Sequence, residues 1–325
     1  MSQAADGTII SSLISKLDSS IEGFVRKGYD AIAGDHQGAI MLLVVLYFIF
    51  LGYGMLSGKT EMTGKDFLKH CLLVSVSYFL AVNWDIFSML IYNFTTAIPD
   101  GISRSIISAT GDNKSAVFLL DEMYKGGSEL SSSLYSGMNL TNIGAGFLAL
   151  IVYVTTIVTV GYATLVICVS KMTMAVALTL APAVAILYMF NGSRFIFDGW
   201  MKVLVTSIVS IIIIYTIVAL TYTIMADYML AIIHKEHASF SDCGEYILFS
   251  FVTIGLYMSS TGIASSIGGG FASHVGAPAA MALGAAGAAF SFGKNAGGAI
   301  GGAAAKGVAR GGLALAHKIR DKLRK

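Results

Sequence analysis

Apolar positions along this chain follow two regimes. Ahead of Gly38, the residues Ile10, Leu13, Ile14, Leu17, Ile21, Phe24, Val25 and Ile32 recur at steps of three and four, with Lys16, Asp18, Glu22, Arg26 and Asp30 between them. That spacing predicts an amphipathic helix over residues 1–37, seated on its own protein, in the membrane interface or against a sister subunit. Beyond Gly38 the periodicity gives way to solid apolar runs at 39–56, 71–94, 143–170, 172–190, 203–225 and 246–267. About 20 apolar residues cross a hydrocarbon core, and the runs at 143–170 and 203–225 exceed that length without a charged residue. The block 143–225 therefore predicts membrane helices, divided by a turn at Lys171 and a short link over 191–202.

Two of the runs carry interruptions. Pro182 lies inside 172–190, where it removes a backbone donor and predicts a kink supported by neighbouring helices. Asn83-Trp84-Asp85 divides 71–94, and Asp85 is the one carboxylate within a predicted span. Either Asp85 is a functional charge in the membrane, or the tripeptide marks an interfacial helix end with Trp84 at headgroup level. Between the runs, 97–142 turns polar and predicts a loop domain outside the membrane, with short helical patches at 102–107 and 116–120 that must dock to be stable.

Near the end, the glycine triplet 268–270 opens a Gly/Ala-rich stretch in which Gly293, Gly297 and Gly301 recur every four residues. This spacing lets helix backbones approach closely where the segment is packed, and glycine loosens it where it is not. The last residues, ARGGLALAHKIRDKLRK, form a basic amphipathic end suited to an anionic inner leaflet or an acidic partner.

Composition agrees with a polytopic all-α membrane protein: 55% of residues are hydrophobic and 12% charged, against roughly 25% charged in soluble domains. Charge placement sets the expected topology. Lys59, Lys65 and Lys69 put the first loop inside, the basic tail also belongs inside, and the amino terminus and the 97–142 loop fall outside. Six runs would leave the tail on the wrong side. Five spans are therefore preferred, with the Pro182 run or the divided 71–94 run not fully crossing. A seven-span arrangement, using the apolar segment after Val275, is the second choice.

Candidate chemistry is sparse. Cys71, Cys168 and Cys243 lack the spacing of a zinc or redox motif. His234 and His237, with Glu236, Asp242 and Cys243 nearby, make a weak metal candidate against the simpler reading of a polar hinge. No nucleophile stands beside a base and no phosphate-binding glycine loop is present, so neither an enzyme nor a cofactor is expected. No secretory signal is expected at the start either. Two function classes remain: an assembly or channel subunit, and a small-molecule or ion transporter, which would place more ionisable residues in its spans.

The outward amino terminus, long outer loop after two spans, proline-bearing apolar block, aromatic link Asn191-Gly-Ser-Arg-Phe-Ile-Phe-Asp-Gly-Trp200 and Gly/Ala-rich inner tail together resemble the TrbL/VirB-type polytopic inner-membrane subunit of type IV secretion systems. The resemblance covers roughly residues 38–302. It implies an inner-membrane position in a machine that exports DNA or protein. It also implies self-assembly, with a pentamer among the candidates, and contacts to the minor pilin, to scaffold subunits and to separate ATPases. Nucleic acid enters only as a transported substrate.

On this resemblance the chain divides into an amino-terminal helix (1–37), two spans (38–96), a periplasmic loop domain (97–142), a main bundle (143–267) and a cytoplasmic tail (268–325). Assembly or interfacial roles then fall to Trp84, Asp85, Lys171, Pro182, Arg194, Phe195, Phe197, Trp200, Gly293, Gly297 and Gly301. Arg194, Phe195, Phe197 and Trp200 have an ordinary reading as well, as the interfacial anchors of any membrane protein.

Overall fold

The computed structural model describes residues 9–58, 63–109, 114–136, 143–233 and 240–269, and the described residues form helices and short links without a strand. Helix α1 (Ile9–Asp35) turns Ile10, Ile14, Ile21, Val25, Tyr29 and Ala33 inward, as its periodicity predicts. The inward face packs on the molecule's own helices, while Leu13 and Phe24 stay exposed.

Helix α2 (Gln37–Leu56) follows at once and is apolar all round, with only Ile40 and Tyr47 buried. A helix hydrophobic on every face requires an apolar surrounding on the sides its own chain leaves open, here those carrying Met41, Leu42, Ile49 and Phe50. Helix α3 (Gly64–Val82) returns beside it. The Tyr47 hydroxyl meets Nδ1 of His70, and Val74 and Ala81 join Ile40 and Tyr47 in a small core.

At Asn83 the backbone becomes extended (φ −109°, ψ 104°), and the Asn83 side chain accepts a 3.2 Å hydrogen bond from the Ile86 N–H, capping the next helix. The chain then runs through α4 (Trp84–Phe87), a π-helical turn (Ser88–Tyr92) and α5 (Asn93–Ala109), bent 100° away from α3. Pro99 sits inside α5, and α6 (Ala116–Ser136) carries Gly126, Gly127 and the serine-rich run within one helix. The helical patches expected at 102–107 and 116–120 are thus parts of much longer helices. Their turn-forming residues are overridden because α6 buries Leu119, Leu120, Met123, Leu130 and Leu134.

The expected turn at Lys171 does not occur: α7 (Ile143–Thr179) passes through it unbroken for 37 residues. Lysine is a good helix former, and the charge is met by a partner rather than by a chain reversal. The break comes later. Pro182 lacks the N–H that would reach the Leu178 carbonyl, so the chain steps at Leu180 and restarts as the short α8 (Ala181–Leu187), with Pro182 in its first turn. The 172–190 run is therefore no span of its own, being divided between the end of α7 and α8. After a link in which the Ser193 hydroxyl donates to the Leu187 carbonyl (2.7 Å), α9 (Arg194–Ile233) extends for 40 residues, and α10 (Phe240–Gly268) completes the described chain.

Helices α7, α9 and α10 pack side by side with buried hydroxyls between them. Ser170 Oγ donates to Ser210 Oγ at 3.1 Å, and the Thr156 and Tyr246 hydroxyls lie 2.7 Å apart. Small and hydroxyl-bearing residues let helices associate where surrounding lipid removes any hydrophobic drive. Four described helices or helix segments are long and apolar enough to cross a membrane: Gln37–Leu56, Gly144–Thr179, Arg194–Ala226 and Cys243–Gly268. The bent pair Gly64–Val82 and Trp84–Ala109 makes a fifth if it counts as one span. The molecule is an all-α polytopic bundle.

Candidate functional site

Two helix breaks, at Asn83 and at Leu180, abut a single core beneath α1. Its buried members are Ile21, Val25, Tyr29 and Ala33 of α1, Phe87 of α4, Met174, Ala175, Ala177 and Leu178 of α7, Ala181 and Val184 of α8, and Trp200 and Leu204 of α9. Each break takes the usual helical donors from the carbonyls before it, and at each an aromatic side chain donates to one of these carbonyls, although that of Ala177 also accepts from the Leu180 N–H at 3.2 Å. The Tyr29 hydroxyl donates to the Leu80 carbonyl at 2.7 Å, and the Trp200 indole N–H donates to the Ala177 carbonyl at 2.7 Å.

The rings around these donors pack on one another. Tyr29 stacks on Phe87 (centroids 4.8 Å, 26° between planes) and meets the edge of Trp84 at 5.2 Å. Phe197 lies 5.6 Å from Trp200 and 4.4 Å from Tyr188, whose other ring contact is the Arg194 guanidinium at 5.2 Å. Ring geometries of this kind add roughly 0.5–1.5 kcal/mol per pair beyond area burial. Burial also pushes the Tyr29 phenol up from its ordinary value, with the nearby Asp30 charge adding to the shift, so the group stays a neutral donor.

Charge fixes α1 at two further points. Lys171, only 11% exposed, places its ammonium 2.7 and 2.8 Å from the two carboxylate oxygens of Asp18. At the start of α1, Asp121 of α6 accepts from the Ile10 N–H (2.8 Å), the Ser11 N–H (3.0 Å) and the Ser11 hydroxyl. A carboxylate there satisfies donors the helix cannot and meets the positive end of its dipole. Glycines allow the closest approaches: a Cβ at Gly28 would overlap the Thr179 side chain of α7, and one at Gly127 would overlap Thr156.

Of the residues singled out from sequence, the structure brings Trp84, Phe197 and Trp200 to this core and places Lys171 beside α1. Pro182 is buried at the second break. Asp85 is exposed in the first turn of α4, Arg194 begins α9, and Phe195 points outward at 71% exposure. Gly293, Gly297 and Gly301 lie outside the described residues, as do His234, Glu236 and His237. Among the described residues no group of three or more metal-ligating side chains could hold an ion.

Sequence reading assigned no role to Tyr29, Asp18, Asp121, Gly28 or Gly127 individually. The acidic residues of α1 were visible as its polar face, but nothing in the spacing indicated that one of them meets a lysine 153 positions away. Nor did sequence distinguish Asp121 from the surface acids of a polar segment.

Comparison with known proteins fits this architecture. The chain is 24% identical over 236 residues to the type IV secretion system protein VirB6 of Bartonella henselae, an alignment that covers 70% of each protein. Residues 44–260 match the family described as TrbL/VirB6 plasmid conjugal transfer protein. That stretch runs from within α2 to within α10, covers two thirds of the chain and takes in both helix breaks, so this chain belongs to the TrbL/VirB6 family.

Proposed function

We propose that this chain is an inner-membrane channel or scaffold subunit of a type IV secretion system, self-assembling at the base of the pilus or translocation path and supporting pilus assembly and DNA or protein export. Family membership supports a secretion-system subunit, and the helices long enough to span a membrane support a multi-pass position in the bacterial inner membrane. The observation that carries the scaffold reading is the exterior of α2. Only 11% of its membrane-length window is buried in one chain, leaving an apolar surface for lipid and for further copies.

In this reading the amino terminus, α1 and the 97–142 segment face the periplasm, where they meet the minor pilin and scaffold subunits. The basic tail faces the cytoplasm and the ATPases. The exposed apolar faces of α2 and α3 are the surfaces on which further copies would pack in a homo-oligomer, with a pentamer among the candidates. Trp84, Trp200 and Phe197 hold the fold that presents these surfaces, whereas Phe195 and Arg194 lie where a neighbour or the headgroup layer can reach them.

The test is an in-frame deletion in a donor strain that carries the cognate secretion genes, scored for transfer to recipients and for surface pili, with the full chain then purified in mild detergent for native mass spectrometry. Loss of transfer restored by the wild-type gene, together with a closed oligomer retaining secretion subunits, is expected. A strictly monomeric protein whose deletion leaves transfer and pili intact overturns the reading.

A further inference from the structure

Two adjoining cavities flank the Asp18–Lys171 pair, and their walls sort hydrogen-bonding groups by kind. One, of about 470 Å³, lies between α1, α5 and α7 and is lined by Asp18, Glu22, Asp100, Lys171 and Tyr92. Among the described residues it sets three carboxylates against one ammonium, and that ammonium is already engaged by Asp18. The other, of about 300 Å³, shares Asp18, Asp100 and Lys171 but adds donors: Arg104, the Ser15 hydroxyl and the start of α6 at Ser115, Ala116 and Val117, while the Ser11 and Ser103 hydroxyls that also line it are given to Asp121 and to the Asp100 carbonyl. The first N–H groups of a helix have no intrahelical partner and carry the positive end of its dipole.

An independent observation at the second cavity points to a ligand. The Tyr215 side chain lines it and is 1% exposed, yet its hydroxyl has no hydrogen-bond partner among the described residues. A buried hydroxyl without a partner is costly, so a polar atom delivered into the cavity gains from meeting it.

We propose that the two cavities form one site for a small zwitterion of the phosphoethanolamine type. Its ammonium is received by Glu22 and Asp100 in the first cavity. Its phosphate is received by Arg104, the Tyr215 hydroxyl and the amino end of α6 in the second, where Asp18 and Asp100 exclude a ligand that is purely anionic. This chemistry reaches the protein either as a phospholipid headgroup or as a free solute, and the site is independent of any part the chain plays in secretion.

The test uses the full chain in mild detergent, titrated with phosphoethanolamine and followed by thermal unfolding and native mass spectrometry. Phosphoethanolamine is expected to raise the unfolding midpoint at concentrations where ethanolamine plus inorganic phosphate, unlinked, do not. Phosphocholine, whose quaternary ammonium has no N–H to donate, is expected to bind more weakly. Tyr215→Phe removes only the hydroxyl, so it should hold or raise the midpoint of the ligand-free protein while weakening binding about tenfold. Glu22→Gln should weaken phosphoethanolamine binding while inorganic phosphate alone still fails to raise the midpoint. Nanodiscs of phosphatidylethanolamine against phosphatidylcholine separate the sources: ethanolamine lipid that stays bound and competes with the free head group identifies the membrane, and binding of the solute alone identifies the free form. The proposal is overturned if neither form stabilises the protein, or if Tyr215→Phe binds phosphoethanolamine as the wild type does.

Discussion

The Tyr29 hydroxyl of α1 donates to the Leu80 carbonyl of α3, the carbonyl that an unbroken helix would have offered to the Trp84 N–H. The first helix of the chain thereby stabilises a bend that lies some fifty residues further on. Tyr29→Phe keeps the ring stack on Phe87 and removes the donor, leaving a half-buried carbonyl unmet at a cost of about 1–3 kcal/mol. A lowered unfolding midpoint in detergent, with oligomeric state unchanged, is the expected result. An unaltered midpoint would show that another donor takes over.

Asp18→Asn strands Lys171, which is nearly enclosed, whereas Asp18→Asn combined with Lys171→Met removes both charges. Breaking a fully buried pair costs roughly 3–5 kcal/mol, and the half-exposure of Asp18 brings this down to about 1–3 kcal/mol. The single variant should therefore make α1 more sensitive to limited proteolysis, and the double variant should recover most of the resistance. Equal sensitivity in both would mean that the pair does not hold α1 in place.

Gly127→Ala forces a methyl group into the Thr156 side chain, and overpacking of this kind costs typically 1–3 kcal/mol. Thr156→Ala in the same chain makes room again, at the expense of the hydroxyl contact with Tyr246. Partial recovery of stability in the double variant is expected, measured against each single change. Additive losses would place the two residues out of contact.

Asp85→Asn addresses the competing transporter class. Its carboxylate is exposed in the first turn of α4, where the helix dipole gives a negative charge only about 0.3–1 kcal/mol. The variant should assemble and support transfer near the wild-type level in a mating assay. Complete loss of transfer with normal assembly would assign Asp85 a part in the transport step.

Much of this fold could be read from the chain because periodicity and run length report burial directly. The inward face of α1, the extent of α2 and the proline break were all legible for that reason. Lys171 misled because a charge within an apolar run resembles a turn when its partner is out of view, and Asp18 lies too far away in sequence to suggest itself. The polar segment misled in the opposite sense. Glycine and serine in α6 look like loop residues until Gly127 is seen against Thr156, where a larger side chain would not fit. The aromatic residues were recognised as significant, but as membrane anchors. Trp200 is buried and donates to Ala177, a relationship set by how the chain breaks at Leu180 and not by any local motif.

Helix α7, at 37 residues and 1.5 Å per residue, is about 55 Å long, nearly twice the ~30 Å of a hydrocarbon core. No helix break interrupts it. The α6 contact at Gly127 and Thr156 lies about a third of the way along it, and the Lys171 and Ala177 attachments lie toward its carboxyl end. A tilt of roughly 5° imposed at one end displaces the far end by roughly 5 Å, about one helical turn. Any change in the inclination of α7 therefore moves the attachments of α1 at Lys171 relative to its attachment on α6 at Asp121.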